Sequence, residues 1–348
     1  MGVVETTKPS LELLRSLSDE HVLRTLMRER RATRAEIAAA TGLSKPTISE
    51  SVKRLSASGA VVDTGERTTG RGRVGTYYAL PASGRALVAS LASTGVVAEA
   101  VDVYGEIVAR ATAPGADELH GAAQEVADGP FRLAVVSAAD PVDRHTGRLV
   151  ALPDAPLELG ALDVPAALAP LVDGPITVDN DVNWAARAEP LRDFAYLFLG
   201  EGLGCAVVSD GEVRRGHTGV AGEIAHVVTV GPDGAAMRFT DVFGALGLRR
   251  ARSTAIDVPK LLASDAHETL AGAVAGVLSA IVALADPEVV VVGGPWGRAW
   301  LEPIAHAFAQ APRHVPLRPA TVGDELVAAR ATALEQLRDA VVSAATQR

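Results

Sequence analysis

The chain has 348 residues, 48% of them hydrophobic, and a formal net charge of −9 at neutral pH. That length and apolar content provide for two or three domains with sizeable cores, and no run of some 18 uncharged apolar residues marks a membrane span. The single cysteine, Cys205, excludes an intramolecular disulfide and any cysteine-based zinc cluster. The first residues, MGVVETTKPSLELL, lack a basic segment followed by an apolar stretch, so no secretion signal is expected and the cytoplasm is the simplest location.

Residues 34–59, RAEIAAATGLSKPTISESVKRLSASG, read as a helix-turn-helix. Arg34–Ala40 forms a short helix, Thr41-Gly42-Leu43 a tight turn, and a second helix runs from Lys45 to about Ala57. Ser44 is placed to cap that helix, Pro46 is tolerated in its first turn, and Gly42 permits the reversal. Ile37, Leu43, Ile48, Val52 and Leu55 make the apolar seam. Ser44, Lys45, Thr47, Ser49, Lys53 and Arg54 lie on the other faces, where phosphates and base edges are within reach.

Residues 60–80 then alternate as two short strands around a Gly/Arg-rich tip, a β-hairpin wing carrying Arg67, Arg71 and Arg73. Such arginines suit a minor groove or the sugar-phosphate backbone, although a basic surface hairpin without a partner has the same composition. Charge supports the first reading. Residues 21–80 hold 11 Lys+Arg against 5 Asp+Glu, a balance of +6, which leaves −15 for the rest of the chain. One basic module on an acidic protein is the distribution expected of a DNA binder whose larger part has another task.

The first boundary is expected near residues 80–95, dividing a DNA-binding domain (1–82) from a body (83–348). Gly95–Val103 and Glu106–Thr112 read as a hairpin about Tyr104-Gly105, and Phe131–Ser137 and Ile176–Val178 as buried strands. Phe194–Leu199 and Cys205–Ser209 flank a glycine loop. Glu268–Ala285 is a long helix, Val289–Val292 an apolar strand, and the last 25 residues an amphipathic helix. This alternation predicts an α/β body with a largely parallel core.

Four stretches of the body carry chemistry-bearing residues. In VDNDVN (178–183), carboxylates and amides stand where a strand ends and a helix begins. That is the rim at which α/β proteins bind ligands, and it is also an ordinary place for an Asn/Asp cap. In LGEGLG (199–204), glycines could approach a phosphate, but Glu201 would repel it and a plain hairpin is the simpler reading. In GHTGVAGEIAH (216–226), Glu223 and His226 are three apart and share a face on a helical turn, as sugar-hydroxyl acceptor and ligand, or as structural residues. DPEVVVVGG (286–294) is a strand ending in a glycine pair.

Taken in order, GLSKPTISESVKRL, TGRGRVG, VDNDVNWAARAE, LGEGLGCAVVSDGEVRRGHTGVAGEIAH and DPEVVVVGG resemble the ROK family of repressors, open reading frames and sugar kinases, specifically its regulator branch with an N-terminal winged helix. The resemblance runs from about residue 15 to the end. It implies an actin-like, ribonuclease-H-like body of two α/β lobes with a sugar cleft between them, and homo-oligomers, dimer or tetramer, assembled through the body. Asn180, Asp181, Glu223 and His226 stand at the family's sugar-site positions.

The departures bear on activity. The family's kinases open with an Asp-Gly-Gly-Thr type phosphate loop, whereas the equivalent hairpin here reads STGVVAEAVDVYGE; their second phosphate loop has Thr where this chain has Glu201. Phosphoryl transfer rests on positioning and neutralising phosphate, so kinase activity is expected to be lost although the base-like Asp181 remains. His226 occupies the position of a zinc-binding His, but GPDGAAMRFTDVFGALGL holds no cysteine, so no zinc and no other cofactor are expected. The loop Ser137–Asp143 keeps an Asp but replaces the family's Pro-Gly. The expectation is a transcriptional regulator, a repressor in the simplest case. Its partners would be a double-stranded DNA operator and a sugar or sugar-phosphate effector. The alternatives are a sugar kinase with an accessory DNA module and a regulator whose body is only a scaffold.

Overall fold

The computed structural model describes residues 11–68, 74–81, 84–152, 162–324 and 326–346. Helix α1 (Leu11–Glu29) leads into strand β1 (Arg31–Thr33), helices α2 (Arg34–Thr41) and α3 (Lys45–Ala57), and strands β2 (Val62–Arg67) and β3 (Thr76–Ala79). Local chemistry fixes the helix pair. Thr33 and Glu36 form a reciprocal capping box at the start of α2, and Gly42 closes it in the left-handed region at φ 70°. The Ser44 hydroxyl accepts from the Thr47 amide at 3.3 Å and caps α3. Ile37, Ile48, Val52 and Leu55 are buried with Val22, Leu23 and Leu26 of α1, and Leu43 packs against them.

The three strands pair in the order β1-β3-β2, with β2 and β3 antiparallel as the wing. Sequence reading had no signal for α1 or β1. Leu11, Leu13, Leu14 and Leu17 are exposed, whereas Ser18, Asp19 and Thr25 are buried beside Val22 and Leu26, so α1 carries no clean apolar stripe.

The body has two α/β lobes. The first contains β4 (Ala86–Ala92), β5 (Gly95–Val101), β6 (Ile107–Ala113), α4 (Leu119–Glu125), β7 (Leu133–Ala138), α5 (Val164–Leu168) and β8 (Ile176–Asn180), with sheet order β6-β5-β4-β7-β8. Helix α6 (Asp181–Ala188) follows. The second lobe runs through β9 (Phe194–Leu199), β10 (Leu203–Ser209), β11 (Glu212–Val213), β12 (Val228–Val230), β13 (Ala236–Arg238), α7 (Phe239–Ala245), α8 (Val258–Leu262), α9 (His267–Ala285), β14 (Val289–Gly293), α10 (Pro295–Ala299), α11 (Leu301–Phe308) and β15 (Leu317–Pro319). Its sheet order is β11-β10-β9-β14-β15.

In each sheet an antiparallel three-strand meander is joined to two parallel strands. The expectation of a largely parallel core is therefore corrected: the sheets are mixed. Short hairpin turns at Ser93-Thr94 and in the 200–202 loop return the chain before any crossover helix can form. The stretch near residues 80–95 is corrected too, because it contains β4, whose residues 86–91 are all buried.

Helix α9 is long and apolar enough to cross a membrane by composition, and it is a core helix in this fold: Leu270, Val274, Val277 and Leu278 are fully buried. Where the resemblance would place a cysteine-rich segment, β12 and β13 form a two-stranded ribbon. It leads into Phe239 and Phe243, whose rings meet at 5.4 Å, with Trp296 stacked 5.7 Å from Phe243. Packed aromatics hold this segment, and among the described residues no three His, Cys, Asp or Glu converge as metal ligands would.

The last helix, α12 (Leu326–Thr346), returns to the first lobe and lies across β4 and β7, beside α6 and against α1. Its Leu326, Ala329, Ala333 and Leu337 share one continuous core with Trp184 of α6 and with the apolar side chains of α1 and α3. Polar ties reinforce the junction. Arg24 pairs with Asp339 at 2.8 Å, and Arg338 donates to the Val103 carbonyl at 3.0 Å.

Candidate functional site

The helix-turn-helix presents one exposed edge. Lys45, Thr47 and Lys53 point to solvent from α3, Ser49 is half-buried, and the Ser44 hydroxyl is shared between the Thr47 amide and the Thr47 hydroxyl. Arg54 does not belong to that edge. Its guanidinium grips the buried Asp19 of α1 (2.7 and 3.3 Å), and Ser51 donates to the same carboxylate. The Arg54 assignment as a free phosphate contact is thus corrected: a buried carboxylate needs a partner, and Arg54 supplies it. Arg67 is likewise paired, with Asp63 at 2.9 Å. Arg71 and Arg73 lie outside the described residues.

In the body, Asn180, Asp181, Glu223 and His226 line one cavity of about 300 Å³ between the lobes. The first two come from the junction of β8 and α6. Asn180 caps α6 by accepting from the Val182 amide at 2.9 Å, and its side-chain amide donates to the carbonyls of Ala138 and Asp140 at 3.3 and 3.2 Å. Both readings of this residue therefore hold in geometry: it is a cap, and it borders the cavity. Asp179, just before it, is buried and faces away into an ionic cluster. It pairs with Arg187 at 2.7 Å and accepts from Asn183 at 2.8 Å, and Arg215 of the second lobe approaches to 3.5 Å.

The Glu223 and His226 segment reaches the cavity along a path set by glycines. Gly219 and Gly222 have φ of 111° and 99°, and a Cβ on either would collide with the carbonyl of Val142 or Cys205. A short 3₁₀ turn, Ile224–His226, then turns His226 toward the same space as Glu223. The glycine loop of 200–202 is the hairpin turn between β9 and β10, as the simpler reading had it. Its Glu201 forms an ion pair with Arg250.

Two cavity features were not identified from sequence. Asp140 is buried against it, and Arg250 neutralises Glu201 from 49 residues away. Neither carries a local pattern, because both act through chain crossings.

Burial, and after it the charge of Asp140, push the Glu223 carboxyl up to about 7 from its ordinary 4.5. The folded chain thus binds this proton more tightly than the unfolded chain does. The resulting stabilisation is complete below about pH 4.5 and is lost as pH rises through about 7. Stability should fall by about 2–3 kcal/mol across that window through this group alone. Glu223→Gln is expected to flatten the slope, read by urea unfolding at several pH values. Parallel curves for the two proteins would remove Glu223 as its source.

Comparisons with known proteins agree with this architecture. Residues 82–238 match the ROK family, and residues 15–62 match the winged helix-turn-helix DNA-binding family. A solved ROK family transcriptional regulator, a homolog of the E. coli MLC protein, superposes over 95% of this chain and 99% of its own, with a TM-score of 0.60 at 14% identity. The ROK hexokinase of Thermus thermophilus covers 73% of this chain and 99% of its own, with a TM-score of 0.55 at 23% identity.

By sequence, the bifunctional enzyme NanE/NanK of Brucella suis biovar 1 is 31% identical over 175 residues, 44% of this chain and 32% of the relative. A glucokinase of Streptomyces coelicolor is 40% identical over 67 residues, 17% of this chain and 21% of the relative. The chain spans about a third of the length of the bifunctional relatives it matches. Such structural likenesses establish the fold, an actin-like sugar-kinase body behind a winged helix. The chain therefore joins an N-terminal winged helix-turn-helix DNA-binding domain to a ROK family domain.

Proposed function

We propose that this protein is a DNA-binding transcriptional regulator, a repressor in the simplest case, controlled by a carbohydrate bound between the lobes of its body. The observation that carries the reading is the continuous core from α3 through α1 and α12 to α6, the helix that opens with Asp181. A ligand that favours one arrangement of α6 and α12 changes the placement of α3, provided it binds the two arrangements unequally. Two protomers of a homo-oligomer would set their α3 helices in adjacent major grooves, with Lys45, Thr47 and Ser49 toward bases and Lys53, Arg71 and Arg73 on the backbone. Asn180, Asp181, Glu223 and His226 would hold the sugar.

Selection of genomic fragments by the purified protein, with and without a pooled sugar mixture, tests this reading. Enrichment of a few sites with inverted half-sites, relieved by sugar, is the expected result. Lys45→Ala combined with Lys53→Ala should weaken binding at least tenfold and lower the salt slope of log K by about 2. No enriched site in either condition would sink the regulator reading.

A kinase reading rests on Asp181, which lines the cavity where the resemblance places the base, and on the kinase relatives. Against it, the β4–β5 turn reads Ser93-Thr94-Gly95 and an acidic residue, Glu201, occupies the second loop. Sugar-dependent ATP hydrolysis that disappears in Asp181→Asn would restore it.

A further inference from the structure

The charge of the cleft narrows the chemistry of what it can take. Four carboxylates line the cavity, from Asp140, Asp181, Glu201 and Glu223, and among the described lining residues there is no lysine or arginine. Only Glu201 is offset by a guanidinium, that of Arg250, and its other oxygen, Oε2, is buried without a hydrogen-bond partner. The Glu223 carboxylate has neither a hydrogen bond nor an ion pair with any described side chain, and Asp140 is only 4% exposed.

The backbone keeps these groups together. Asn180 donates to the Asp140 carbonyl at 3.2 Å, which holds the 139–141 loop against the mouth of the cavity, and Gly222 holds the next residue, Glu223, on the facing side. Each of the two carboxylates makes ionisation of the other more costly, as the raised proton affinity of Glu223 reflects. A phosphate in such a space would add negative charge with no cation to meet it, and so would a nucleotide. A neutral sugar could satisfy the acceptors through its hydroxyls but would leave the charge in place. A ligand with both hydroxyls and an ammonium group answers all of these observations at once.

We propose that the cleft takes an unphosphorylated, cationic polyol of the amino-sugar class, with Asp140 and Glu223 flanking its ammonium group. This inference rests on the effector reading above and specifies its ligand.

The test is calorimetric and thermal-shift binding to the full chain at neutral pH. The probes are D-glucosamine, D-galactosamine and D-mannosamine, each beside its parent hexose, its N-acetyl form and its 6-phosphate. At least one free amine is expected to bind tenfold or more tightly than its N-acetyl and parent forms, with no measurable binding of the 6-phosphates. Asp140→Asn should shrink that preference below threefold, and Glu223→Gln should do the same if the first variant folds poorly. A hexose, N-acetyl sugar or sugar phosphate binding as tightly as the amine would overturn the charge assignment and leave the effector reading intact. Binding by none of the probes, while operator binding persists, would instead overturn the effector reading and this inference with it.

Discussion

Replacing Arg330 by alanine is expected to destabilise the folded chain by about 3 kcal/mol or more, because it strands a buried carboxylate. Glu99 on β5 has no exposed surface, and Arg330 of α12 meets it with a two-pronged contact, Nε to Oε2 at 2.6 Å and Nη2 to Oε1 at 3.0 Å. The guanidinium also reaches Asp324 at 2.6 Å, and these hydrogen bonds, that to Glu99 foremost, hold its pKa above the ordinary arginine value. Without Arg330, Glu99 keeps only Arg110, at 3.4 Å and largely exposed.

Lysine cannot reproduce the planar fork, so Arg330→Lys should recover only part of the loss. The consequence extends beyond stability, because α12 also packs on α1, the helix that carries Asp19 beneath α3. Operator affinity should therefore fall along with the unfolding midpoint in urea. A change in unfolding free energy below about 1 kcal/mol would show that Glu99 is satisfied without Arg330.

Legibility in the sequence followed the range of each signal. The α2–α3 pair could be read residue by residue because caps, turn glycine and apolar seam all act within a few positions, and Ser44, Gly42 and Ile48 do what their neighbours dictate. Helix α1 was invisible because its identity is tertiary: Asp19 is buried only because Arg54 and Ser51 come to meet it from α3. The same contact removed Arg54 from the DNA-facing edge, a loss that no helical-wheel argument could anticipate.

In the body, Asn180, Asp181, Glu223 and His226 converge on one cavity, although only the order of motifs, not any single spacing, linked them beforehand. Asp140 escaped notice as part of that set. A lone aspartate before a proline has many bland uses, and its role at the cavity depends on the Asn180 side chain fixing its loop. The mixed sheets escaped for a related reason. A strand buried on both faces, such as 86–91, has no alternation from which to tell its direction.

Gly222→Ala is expected to cost more than any cavity-lining side-chain substitution, and to abolish ligand binding as well as stability. A Cβ at this position would lie 1.8 Å from the Cys205 carbonyl oxygen and 2.9 Å from its carbon, both backbone atoms of β10 that cannot swing aside. The approach is held in place by the Gly222 carbonyl, which accepts from the Cys205 amide at 3.0 Å and from the Ile224 amide at 2.8 Å. Added to the clash is the left-handed φ of 99°, which by itself costs an alanine about 1–2 kcal/mol.

Relief requires the 219–226 segment to lift from β10, which carries Glu223 and His226 out of the cavity. A loss of about 3 kcal/mol or more in unfolding free energy is therefore expected, with a sugar-induced rise in melting temperature that vanishes even where the protein is still folded. Gly234→Ala separates the two contributions. It shares a positive φ of 77° but has no atom within 4 Å of its Cβ, so it should show the backbone cost alone and bind ligand normally. Equal losses in the two variants would mean that the segment yields without disturbing the site, and that Glu223 and His226 are not held there by the close approach of Gly222 to β10.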